Sequence, residues 1–144
     1  MDTQRLLAVF DTNILVRLAL SKTLASQRMW DAFTSGRFGL LISVSMLAEV
    51  ERVLHYSRIA THHNLSEERI QSFLDVLRAQ CVMTEEMYQV SRVHEDPSDD
   101  IFLACALEGD ANYLVSEDPH LRDIIEYHGI RIIGLAEFQK IVGL

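Results

Sequence analysis

Four short apolar runs, LLAVF, GLLISVS, ANYLVSED and IRIIGL, are each about the length of a β-strand and are bounded by polar residues or glycine. They are apolar at nearly every position rather than at every second one, so each strand buries both of its faces. A fifth and weaker run, CVMT, occupies 81–84. Between the runs lie longer segments with helical spacing: TNILVRLALS, LASQRMWDAF, SMLAEVERVLHY, SEERIQSFLDVLRAQ, DDIFLACALEG and LAEFQKIVGL. Strands alternating with helices, and covered on both faces, imply an α/β fold: a three-layer α/β/α sandwich around a central parallel sheet of four or five strands.

The local signals agree with this frame. Ser66 opens S-E-E-R ahead of apolar Ile70, Phe73, Leu74 and Leu77, which predicts a helix over about 66–79 with Ser66 as its cap. The preceding YSRIATHHNL reads as a loop between two helices. The chain has 144 residues, 49% of them apolar and 24% charged, which is enough to bury a core as one domain spanning 1–144.

The opening MDTQRLLAVF has an acidic second residue and a five-residue apolar run, which fits neither a secretory signal nor a transit peptide. No apolar stretch approaches the roughly 20 residues of a membrane helix. The expectation is a cytoplasmic protein without a membrane partner. Cys81 and Cys105 belong to no metal-ligand spacing and read as reduced thiols. The net charge of −8 argues against nucleic-acid binding by charge alone, because that mode needs Lys and Arg to neutralise phosphates. An acidic protein can still act on nucleic acid where its negative charge is gathered into a site for divalent cations.

In an open parallel sheet, chemistry collects at the carboxyl ends of the strands. Asp11 ends the first strand, Asp118 closes the fourth, and Glu49 lies one turn into the helix after GLLISVS. Right-handed crossovers bring these three to one edge of the sheet. Asp99 and Asp100, which start the helix leading into the fourth strand, join them if that helix begins on the same edge. Carboxylates so gathered raise one another's pKa unless a positive charge sits among them, and Mg²⁺ or Mn²⁺, which favour oxygen ligands, suit the role.

Each acid also has a plainer use. Asp11 can cap the TNIL helix, Asp99 and Asp100 can complement a helix dipole, and Asp118, followed by Pro119, can cap a turn. Glu49 and Glu51 fall on opposite margins of the face defined by Leu47, Val50, Val53 and Leu54, and the helical wheel leaves the choice between them open.

Taken together, FDTNIL, SMLAEVERVL, DPSDDIFLACAL and YLVSEDPHL resemble the successive motifs of PIN-domain nucleases, over nearly the whole chain. The version with DPxD before the fourth helix and an LVxxD strand is similar to bacterial PIN proteins of toxin–antitoxin pairs, relatives of the VapC-like toxins. The resemblance places the family's four acids on Asp11, Glu49, Asp99 and Asp118, and so prefers Glu49 over Glu51 and Asp99 over Asp100. It implies a Mg²⁺- or Mn²⁺-dependent endoribonuclease in which these four acids hold the metal. An antitoxin partner and a homodimer are implied as well.

Asn13, Ser116 and Asp100 are candidate supporting residues, and Arg17 and Arg122 lie near enough in sequence to reach substrate phosphates. Asp96 reads as a turn residue. The family's fourth motif is commonly Thr-Gly-Asp; here it is Ser116-Glu117-Asp118, which keeps a hydroxyl but adds bulk and charge. Met29 and Trp30 suit core packing or a partner surface. The six histidines show no zinc spacing and read as surface residues.

Two other acidic α/β classes fail on single residues. A phospho-acceptor receiver domain needs a lysine after its last strand, and none lies between Lys22 and Lys140; a haloacid-dehalogenase-type phosphatase needs aspartate where Asn13 stands. The remaining alternative is a PIN-fold module that is inactive or weak in catalysis and binds RNA or a protein.

Overall fold

The structure is a computed structural model and describes residues 5–56, 59, 62–90, 92 and 99–144. Its first strand, β1 (Leu7–Phe10), pairs in parallel with β2 (Gly39–Ser43) on one side and β4 (Tyr113–Val115) on the other. Parallel pairing continues outward to β3 (Val82–Thr84) beyond β2 and to β6 (Ile130–Ile133) beyond β4. The full order is β3-β2-β1-β4-β6-β5.

The five expected strands therefore form the parallel sheet, and CVMT is one of them. A sixth, β5 (Glu126–Tyr127), is antiparallel to β6 and closes one edge. His128 (φ 49°) and Gly129 (φ 87°) turn the chain between them, the pair of left-handed residues that a two-residue hairpin requires. A two-residue strand has too little hydrophobic pattern to be read from sequence.

Both faces of the sheet are covered. Along β1, Ala8 and Phe10 face one way and Val9 the other, yet all three are buried, as are all five residues of β2. The cover consists of α1 (Thr12–Leu20), α2 (Leu24–Thr34), α3 (Val44–Leu54), α4 (Glu67–Gln80), α5 (Asp100–Glu108), the short α6 (Pro119–Arg122) and α7 (Leu135–Ile141). Ser66 caps α4 as expected, its hydroxyl accepting the Arg69 N–H. At the end of β2 the Ser43 hydroxyl accepts the Met46 N–H, so the strand passes into α3 without a loop.

One face is filled by aromatic rings. Phe138 of α7 meets Phe10 and Phe38 edge-on, with centroids 5.3 and 5.0 Å away, and Phe33 of α2 packs on Phe38. Met29 is in this core, whereas Trp30 is half-buried and stacks on Phe73 of α4. Gly109 ends α5 against β2, where a Cβ would overlap the Leu41 side chain. Cys81 and Cys105 are free and buried, and burial pushes their thiols up to about 12 and about 11. Neither is a thiolate at neutral pH.

The topology locates the site. From β1 the chain winds outward through β2 to β3, then returns across the sheet to β4 and winds the other way to β6. The direction reverses between β1 and β4, so their carboxyl ends flank the crevice where doubly wound sheets bind ligands. Because β3 runs parallel to its neighbours, it delivers the chain to that same edge before α5 begins. The segment 56–65, read as a loop, is described only in part, and Asp96 lies outside the described residues.

Candidate active site at the switch point

Asp11 follows β1 directly, and its backbone N–H extends the sheet by donating to the Val115 carbonyl at 3.2 Å. The residue is 4% exposed. One carboxylate oxygen accepts the Ile14 N–H at 2.9 Å and so caps α1; the other accepts the Ser116 hydroxyl at 2.5 Å. Cap and site residue are thus not exclusive readings of Asp11, because a carboxylate has lone pairs for both uses.

Ser116 is fully buried. While donating to Asp11, its oxygen accepts the Asp118 N–H at 3.0 Å. A single hydroxyl therefore joins the end of β1 to the loop after β4. Ser116→Ala removes a buried donor and leaves the Asp118 N–H without its acceptor. The expected cost is about 1 kcal/mol of stability in denaturant titrations, while Ser116→Thr, which keeps the hydroxyl, retains the connection.

Asp118 caps the short α6, taking the His120 N–H on Oδ1 at 2.9 Å, and its side chain is 29% exposed. Asp99 begins α5 without capping it and is 8% exposed. Asp99, Asp118 and His120 each offer a ligand atom, and these three atoms lie within 4.8 Å of one another. Asp99 does join the edge where the fourth strand ends. Asp100, one residue on, is equally buried and accepts the Arg92 N–H at 3.0 Å.

Glu49 is half-buried on α3, which packs against α1, and it stands outside the three-residue group, as does Asp11. Glu51, on the opposite margin of α3, lies 3.7 Å from Arg78 of α4. That ion pair gives Glu51 a place between helices. Asn13 and Arg17 are exposed and four residues apart on α1, hence on one face of it. Beside them, the buried Thr12 hydroxyl has no hydrogen-bond partner among the described residues.

Glu117 stands outside the group of Asp99, Asp118 and His120 and has partners of its own. Its Oε1 accepts the Leu135 N–H at 2.9 Å at the start of α7, and its Oε2 lies 3.4 Å from Arg122. A carboxylate at a helix N-terminus is favourably placed, so α7 and Arg122 partner the side chain that replaces the family's glycine. Arg122 also reaches the Ser116 carbonyl at 3.5 Å. It thus lies beside the Ser116–Asp118 loop, with 41% of its side chain exposed.

Burial raises the Asp11 pKa; the hydrogen bonds from Ser116 and Ile14 work against this, and the charges of Asp118 and Glu117 add to it. Such an arrangement of acids is strained by its own charge and relieved by a cation. Two carboxylates and an imidazole fit a divalent ion: bonds of about 2.0–2.2 Å bring ligand atoms to separations of about 3–4 Å, within a small adjustment of those here. His120 was passed over in the sequence because no zinc motif contains it. The available signal was its place two residues after a strand-end aspartate.

A doubly wound sheet carrying buried and half-buried acids at its switch point defines a class of proteins built around a carboxylate-lined cleft. The family model described as PIN domain matches residues 7–120, and the chain belongs to that family. The fold is also similar to a chain in the crystal structure of VapBC2 from Rickettsia felis bound to a DNA fragment from their promoter, with a TM-score of 0.57 and 14% sequence identity over 90% of this chain and 98% of that one. No curated protein matches the chain in sequence. The resemblance to PIN domains read from four short motifs thus holds for the fold and the family.

Proposed function

We propose that the protein is a metal-dependent endoribonuclease that hydrolyses RNA phosphodiester bonds as the toxin of a toxin–antitoxin pair, with residues 1–144 acting as one PIN-type unit. The observation that carries this reading is the meeting of Asp99, Asp118 and His120 beside buried Asp11 at the switch point of a PIN fold. The toxin assignment is supported by the motif resemblance and by the fold shared with VapBC2. A cytoplasmic setting is part of the proposal; no helix among the described residues is long and apolar enough to cross a membrane. An antitoxin and a second copy of the chain are the proposed protein partners.

In this mechanism Asp11, Glu49, Asp99 and Asp118 would hold one or two Mg²⁺ or Mn²⁺ ions, which when bound would supply activation of a water and neutralisation of charge on the phosphate and leaving oxygen. No side chain acts as a covalent nucleophile. Ser116 keeps the Asp11 carboxylate turned toward the Asp118 loop, and Asp100 holds the Arg92 N–H. Asn13 supports the site from the first turn of α1. Arg17, exposed on the same helix face, binds a substrate phosphate, with Arg122 at the rim as a second contact.

The experiment is cleavage of end-labelled RNA by the purified protein. Cleavage with Mn²⁺ or Mg²⁺ that stops on adding EDTA and returns with excess metal is expected. RNA binding without metal-dependent cleavage would instead establish the binding-module alternative.

A further inference from the structure

We propose that His120 is a metal ligand and that its imidazole biases the site toward Mn²⁺ over Mg²⁺. The inference rests on the divalent-cation reading above and adds to it a residue outside the four acids. His120 Nδ1 lies 3.8 Å from Asp118 Oδ1, and a ring nitrogen of His120 falls within 4.8 Å of ligand atoms of both Asp118 and Asp99.

Its position is set by the backbone. Pro119 starts α6, and the Asp118 carboxylate accepts the His120 N–H, so the ring projects from a short, capped turn fixed to the strand end. Two of the three groups are held by structure: Asp99 is buried at the start of α5, and Asp118 caps α6. His120 has 47% of its side chain exposed and can adjust its ring without disturbing the core. Adjacent His62 and His63 are exposed and belong to no comparable group among the described residues.

The chemistry follows from the donor atom. Mg²⁺ takes oxygen ligands almost exclusively and demands near-ideal octahedral geometry, whereas first-row transition ions accept imidazole nitrogen readily. Three or four carboxylates alone would serve either ion. One imidazole among them adds affinity for Mn²⁺ and gives little to Mg²⁺.

The test measures binding rather than turnover. Mn²⁺ and Mg²⁺ are titrated calorimetrically into the full chain, into His120→Ala and into His120→Asp, and the Mn²⁺-loaded proteins are examined by pulsed electron paramagnetic resonance for coupling to ¹⁴N. The wild-type protein is expected to bind Mn²⁺ and show ¹⁴N coupling. His120→Ala is expected to bind Mn²⁺ about tenfold or more weaker, with Mg²⁺ affinity changed less than about twofold, and to lose the coupling. His120→Asp restores an oxygen donor and narrows the Mn²⁺ preference without restoring ¹⁴N coupling. Because 47% of the His120 side chain is exposed, circular dichroism of both variants should match the wild type. If Mn²⁺ binds the wild type without ¹⁴N coupling and the variants keep its Mn²⁺-to-Mg²⁺ ratio, His120 is not a ligand and the nuclease reading stands. If the wild type binds neither ion, both readings fall.

Discussion

Asp11→Asn is expected to reduce metal-dependent RNA cleavage by at least about a hundredfold while making the metal-free protein more stable at neutral pH. The loss of activity follows from replacing a negative ligand of the proposed metal site. Stability moves the other way because burial, with the charges of Asp118 and Glu117, raises the Asp11 pKa above its ordinary 3.8. An acid whose folded-state pKa is raised binds its proton more tightly folded than unfolded, so the wild type loses stability as pH climbs from the ordinary value through the raised one. Asparagine has no such penalty and can still cap α1. Thermal melts in EDTA should therefore show the variant above the wild type at pH 7–8, with the gap closing as pH falls below the ordinary carboxylate range. A variant that melts below the wild type across that whole range would show that Asp11 is held chiefly for structure.

Phe138→Ala is the corresponding prediction for the scaffold. Phe138 is fully buried against Phe10, Phe38 and Tyr113, and it ties α7 to the face of the sheet that carries β1 and β4. Truncation removes a large apolar side chain and leaves a cavity, for a loss of about 3–5 kcal/mol. Denaturant unfolding should show the midpoint falling with little change in slope. Because Asp11 follows Phe10 without an intervening residue, cleavage should become sensitive to temperature before global unfolding. A change below about 1 kcal/mol would mean that α7 contributes little to holding the sheet.

Much of this arrangement was legible in the residues. Strands apolar on both faces, such as GLLIS, left no alternative to a covered parallel sheet, and Ser66 announced its helix through the residue types after it. The edge carrying Asp11 and Asp118 followed from crossover handedness alone. β5 was missed because two residues carry no period. The choice of Glu49 over Glu51 needed the family resemblance; in the structure Arg78 occupies Glu51 from α4, a helix whose direction of approach no wheel reveals.

The loop after β4 shows the same limit more sharply. Glu117 reads in sequence as a charge added to the site; the Leu135 N–H and Arg122, 18 and 5 residues further on, partner it, while its charge still adds to the rise of the Asp11 pKa. Ser116 was recognised for its hydroxyl, yet its double use, donating to Asp11 and accepting from Asp118, depends on a contact spanning 105 positions. His120 was set aside with the other histidines because only the fold brings Asp99 to it.

The most direct test of the central claim is anomalous diffraction from crystals grown with Mn²⁺. The account predicts a strong Mn²⁺ peak at the carboxyl ends of β1 and β4, ligated by Asp99 and Asp118 and lost in crystals of Asp11→Asn or Asp99→Asn. A cleft without that peak at saturating Mn²⁺, or a peak that survives both substitutions, would contradict it.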